Sequence, residues 1–196
     1  MADPVIEFVS EEIPARMQAG AGRDLARLIE TALTKLGVWH DDSMATGLYA
    51  PRHLLAYATN IAASQPDRII EKRGPRVNAT EAAIAGFLNS AGVSREELVE
   101  EDTPKGRFLF ARREITGGDT AVLLAPIIVD ILNHFPWPKS QRWGRGKFRW
   151  VRPLHRINIL FDGRPLAGAL DLVGGDAINF GATSCGHYFE APDDID

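Results

Sequence analysis

The chain has 196 residues, 45% hydrophobic and 24% charged, with formal net charge −4. This composition fits a folded protein of one domain or two small ones, and excludes a disordered chain. The single cysteine, Cys185, rules out an intrachain disulfide, and a cytoplasmic protein is expected.

Val5–Val9 is β-branched and apolar, and predicts a strand. Pro14 suits a helix start, and Met17, Ala21, Leu25, Leu28, Ile29, Ala32, Leu33 and Leu36 recur at spacings of mostly three and four, with Gly37 as the stop. This stripe is expected to cover a sheet containing Val5–Val9. Trp39–Asp42 reads as a polar loop and Arg52–Ala62 as a strand. The stretch Ser64–Ala79 reads as turns. Asn78 and Glu81 have capping-box spacing ahead of a helix with Ile84, Phe87, Leu88 and Ala91 on one face, closed by Gly92. Ser94 and Glu97 repeat that spacing for a short turn, Thr103–Gly106 is turn chemistry, and Arg107–Ile115 predicts a strand.

Asp119 is placed to cap a third helix, in which Pro126 either makes a kink or marks the start of the regular part. Its apolar run, Ala121–Leu132, is too short to span a bilayer, and the N-terminus is not a signal peptide. No membrane contact is expected. Residues 155–173 read as two strands joined around Asp162-Gly163. The order predicts an α+β protein, with mixed or antiparallel sheets and packed helices. It also leaves room for a subdomain inserted at about residues 67–116. The C-terminal GHYFEAPDDID reads as a cut end.

Familiar chemical motifs are missing. GRGKF (Gly144–Phe148) lacks the spacing and the Ser or Thr of a phosphate loop, and AGAGRD lacks the third glycine of a dinucleotide fingerprint. Cys185, His187 and His155 are too few for a closed zinc site, so no metal is expected. No residue is assigned a catalytic role. What stands out is KSQRWGRGKFRWVRPLHR (139–156), with seven basic residues, no acid and three large aromatics. Lys139, Arg142, Arg145, Lys147, Arg149 and Arg152 are candidate RNA contacts, because such cations neutralise phosphates and aromatics can stack on bases. The other reading of the same residues has the tryptophans as core anchors and the arginines solvated or paired within the protein. Charge alone does not separate the two.

Several stretches, in order, carry a family resemblance: EEIPARM (11–17), APRHLLAYA (50–58), RGPRV (73–77), TPKG with FLFARRE (103–114), FPWPKSQRWG (135–144), WVRPLH (150–155) and TSCGHYF (183–189). With them the chain resembles the N-terminal part of the β subunit of bacterial heterotetrameric glycyl-tRNA synthetase. It departs from the family in PRHL, where a second Arg is usual, and in GHYF, where Gly-His-Arg-Phe is usual. The second change removes a basic residue beside His187.

The resemblance implies the N-terminal α+β region (1–196) of a longer β subunit, related in fold to the editing-type module of phenylalanyl-tRNA synthetase β chains. It implies membership of a glycine–tRNA ligase in which the α subunit uses ATP and Mg, while this region binds no cofactor and is inactive alone. The implied partners are the α subunit, glycine tRNA (tRNA(Gly)) and the remaining β-subunit domains. Its role is then tRNA contact and assembly. The alternatives are a pure interaction module docking the α subunit or other β domains, or, with least support, a hydrolytic editing domain.

Overall fold

The computed structural model describes residues 2–104, 106–143, 146–172, 176–186 and 194–195. Two compact units are present, residues 66–117 and the remainder of the chain. Both are α+β, with three α-helices in all among the described residues.

The larger unit begins with β1 (Pro4–Ser10), whose apolar residues favour extended pairing. Pro14, at φ −54°, leads into α1 (Ala15–Leu36), and Gly37 ends that helix at φ +75°, which glycine adopts without strain. Leu25, Ile29 and Leu33 on α1 are fully buried, whereas Leu28 and Leu36 are only partly so. The buried stripe is therefore narrower than expected. Next come β2 (Met44–Tyr49) and β3 (His53–Thr59), which pair antiparallel.

The smaller unit holds β4 (Arg68–Arg76), α2 (Glu81–Ala91), β5 (Leu98–Thr103) and β6 (Gly106–Ile115), with sheet order β4-β6-β5. The expectation of turns over 64–79 is corrected by β4, a nine-residue strand with no apolar alternation. Its backbone pairs with β6, and across the sheet Arg112 of β6 bridges Glu71 of β4 and Glu101 of β5. Gly74 admits the Phe87 ring of α2, where an added Cβ would lie 2.6 Å from Phe87 Cδ1. The cap of α2 is Thr80, whose hydroxyl accepts from the Ala83 N–H, not Asn78. Ser94 and Glu97 do form a capping box.

Back in the larger unit, α3 (Thr120–Asn133) is capped by Asp119, which accepts from the Ala121 N–H at 2.9 Å. Its regular part begins at Thr120, ahead of Pro126. Then come β7 (Gln141–Arg142), β8 (Arg149–Trp150), β9 (Leu154–Phe161), β10 (Arg164–Pro165), β11 (Ala169–Asp171), β12 (Ala177–Gly181), β13 (Ser184–Cys185) and β14 (Asp194–Ile195). Asp162 and Gly163, at φ +51° and +71°, turn β9 into β10.

Among the described residues the main sheet runs β11-β12-β9-β1-β3-β2, with β10 beside β9. It is mixed, since β12 is parallel to β9 while the other pairs are antiparallel. Alternation sorts the faces. Ile6, Phe8, Leu54, Ala56, Ile157 and Ile159 turn to the core that α1 and α3 complete. Glu7, Leu55 and Asn158 share the opposite face.

Candidate nucleic-acid interface

The basic segment is fastened by its aromatics. Trp150 is fully buried and meets Phe8 of β1 edge-to-face at 5.7 Å. Phe135 and Trp137 each lie 5.0 Å from it, and Phe148 stacks at 6.0 Å. Half-buried Trp143 packs edge-on against Phe148 at 5.3 Å. These rings form the plug that holds the β7–β8 ribbon to the sheet, each favourable ring pair contributing about 0.5–1.5 kcal/mol beyond its area. They serve as anchors rather than as an open stacking platform.

The cations then divide by position. Arg142 pairs directly with Arg149 across the ribbon, and Gln141 with Trp150. Directly opposed residues share a face, so the two arginines project away from the side that buries Trp150. Both are exposed, as is Lys147. Arg149 also donates to the Ser140 hydroxyl at 3.1 Å and to its carbonyl at 2.7 Å. Lys139 and half-buried Arg152 lie apart from that outward pair, in a cavity that also takes Arg16 of α1. Arg145 falls outside the described residues. Half-buried Arg156 is engaged within the protein, pairing with Asp194 at 2.7 Å and donating to the Thr183 and Ser184 carbonyls. It belongs to the frame.

The sequence reading missed a buried carboxylate. Glu7 Oε1 accepts from the Ser184 hydroxyl at 2.9 Å and lies 2.9 Å from His53 Nδ1, while Oε2 accepts from Asn158 Nδ2 at 2.8 Å. Burial alone would raise this carboxyl's pKa. The hydrogen bonds from His53, Asn158 and Ser184 outweigh it and hold the group below its ordinary value. Asn158 also donates to the Thr183 carbonyl, so the network stitches residues 183–184 onto the sheet. One signal was legible: Glu7 and Asn158 are lone polar residues inside VIEFV and INIL.

His187, one of the three groups weighed as metal ligands, lies outside the described residues. Among those described, no helix is long and apolar enough to cross a membrane.

Residues 5–196 match the family model described as glycyl-tRNA synthetase beta subunit. The chain is 43% identical over 192 residues to a glycine–tRNA ligase beta subunit of Ruegeria sp. (strain TM1040), covering 98% of this chain and 28% of that protein. The beta subunit of Dinoroseobacter shibae is 44% identical over 197 residues, covering 100% and 27%. That of Phenylobacterium zucineum is 43% identical over 189 residues, covering 96% and 27%. The chain thus spans little more than a quarter of the length of these relatives.

Proposed function

Because the chain belongs to the glycyl-tRNA synthetase β-subunit family, we propose that it supports glycyl-tRNA formation by contacting tRNA(Gly) and by helping to assemble the ligase with its α subunit. In this reading the ATP- and Mg-dependent step belongs to the α subunit in the cytoplasm, and this region is catalytically silent. The observation that carries the proposal is the β7–β8 ribbon, whose outward Arg142 and Arg149 are held over an aromatic plug. Like charges directly opposed on a ribbon repel each other, and a phosphate between them would relieve that repulsion.

The test is tRNA affinity across a salt series, for the parent and for Arg142→Ala with Lys147→Ala. If each side chain meets a phosphate, affinity falls and the log–log salt slope flattens by about one unit per lost contact. Unchanged affinity and slope in a well-folded double variant would refute RNA contact by this ribbon.

A second reading, docking of the α subunit, is favoured by the sheet's edge strand β2. It exposes Met44, Leu48 and Tyr49 at 54%, 51% and 52%. Leu48→Asp should then weaken capture of the α subunit while leaving tRNA affinity unchanged. Equal capture would remove β2 from that surface.

A further inference from the structure

The basic segment was legible as one run of charge, but the fold splits it. Lys139 and Arg152, from either side of the β7–β8 ribbon, meet Arg16 from the first turn of α1 around a cavity of about 220 Å³. The buried side chains of Met17 and Val151 also line it, together with the half-buried Ser140. That volume is several times the ~30 Å³ share of one liquid water, enough for a tetrahedral oxyanion with part of its hydration shell.

Three features point to the ligand's chemistry. Three cations line the cavity and no carboxylate does. Among the described residues none of the three makes an ion pair, although the surface elsewhere ties Arg27, Arg95, Arg107, Arg112 and Arg156 to acids. Three cations lining one cavity without a counter-ion give it a positive potential that favours a bound anion. The donors also suit oxygen. Arg149 donates to Ser140 Oγ, so that hydroxyl's own proton is left for an acceptor. Finally, Arg16 stands where a cation is least favoured, because the first turn of a helix carries partial positive charge. Neither an acid in that turn nor a side-chain cap on Pro14 offsets it.

We propose that Arg16, Lys139, Arg152 and Ser140 form a binding site for one phosphate group. Guanidinium forks and an ammonium surround the group, and the hydroxyl donates to an oxygen of the same group. The phosphate has two possible sources, a phosphodiester of RNA or a free inorganic phosphate. The first rests on the tRNA-contacting reading above and the second does not. As an RNA site it extends the contact surface from the outward face of the ribbon to the start of α1, through a residue outside the basic segment.

The test uses the 196-residue chain, its Arg16→Glu variant and the Arg142→Ala, Lys147→Ala ribbon variant. Inorganic phosphate is titrated against chloride at equal ionic strength, with the NMR signals of residues 16, 139–141 and 152 as readout. Tight saturable shifts in the parent and the ribbon variant, absent from Arg16→Glu, are the expected result. A merely structural Arg16 would not behave this way. An acid in the first turn suits the helix, so the variant should unfold at the same temperature as the parent or higher while losing phosphate.

In the second arm tRNA is bound across a salt series. Loss of one charge-assisted contact should weaken binding about tenfold and flatten the salt slope by about one unit. Phosphate saturation with tRNA binding unaltered by Arg16→Glu supports the site and assigns it to the free ion. If phosphate leaves these signals unmoved and Arg16→Glu leaves tRNA binding unchanged, the site is overturned. The ribbon variant then decides the tRNA-contacting reading separately.

Discussion

Helix and sheet approach each other closely in the larger unit at a glycine pair, which allows a graded test of the packing. Gly22 of α1 sits over Gly47 of β2. A Cβ added at Gly47 would collide with the Gly22 carbonyl oxygen and lie 2.6 Å from its carbon. That is about 1 Å inside ordinary carbon–carbon contact of ~3.5–4.0 Å. The obstructing atoms are helix backbone and cannot rotate away, so α1 must lift from the sheet and loosen the buried stripe of Leu25, Ile29 and Leu33.

Gly47→Ala is therefore expected to cost about 3 kcal/mol, the upper end of overpacking penalties. At this chain length that corresponds to a midpoint lower by about 6–12 °C. Gly22→Ala places its Cβ 3.2 Å from Tyr49 Cδ1, a side-chain atom that can give. The helix gains roughly 1 kcal/mol from exchanging Gly for Ala, so the net change should be close to zero. At Gly20 nothing lies within 4 Å of an added Cβ, and the same gain should appear in full as a rise of about 2–4 °C. Thermal unfolding of the three variants by circular dichroism reads the order Gly20→Ala, Gly22→Ala, Gly47→Ala. A Gly47→Ala midpoint within 2 °C of the parent would refute the backbone contact.

Glu7→Gln should destabilise the chain at pH 7 by about 1–3 kcal/mol, because the remaining donors lose their carboxylate. Glu7 has its folded pKa lowered, so its contribution is present above the ordinary value of 4.5 and is lost as pH falls through the folded value. Urea midpoints from pH 7 to 3 should show parent and variant converging at the acid end, and a constant gap would be the wrong outcome. Trp150→Ala should cost about 3–5 kcal/mol in denaturant unfolding and weaken tRNA binding only through loss of the fold. Leu25→Ala should cost about 2–5 kcal/mol, with a clearly smaller loss at half-exposed Leu28. Equal losses would place both side chains in the core.

Those elements that were legible in the sequence bury one face against the core. The apolar runs at Val5–Val9 and in β9, and the stripe along α1, each report a local period that burial enforces. β4 escaped because its long charged side chains pair across the ladder and leave no period to read. β2 escaped for a related reason: as an edge strand with no fully buried residue, it obeys no apolar alternation. At the site, the run of charge over 139–156 was visible, but not its division among the ribbon's outward face, the cavity beside α1 and the Arg156–Asp194 ion pair. Tertiary pairing decides that division. Glu7 shows the same limit, since its partners His53, Asn158 and Ser184 lie 46, 151 and 177 residues away in sequence.

The place of β1 at the middle of the sheet sets the timing of its folding. β1 and β3 can pair as soon as residue 59 is available, but the other edge of β1 waits for β9, which begins at Leu154. At ribosomal rates of about 5–20 residues per second, roughly 5–20 s pass between the two events. For that interval the nascent chain presents the unpaired backbone of a strand bearing Ile6 and Phe8, a template for wrong partners. Residues 66–117 are made within the same interval and find their pairing partners among themselves, so they offer the waiting edge no strand of their own. Closure of the β1–β9 ladder is thus the step of synthesis at which a chaperone would act on the nascent chain.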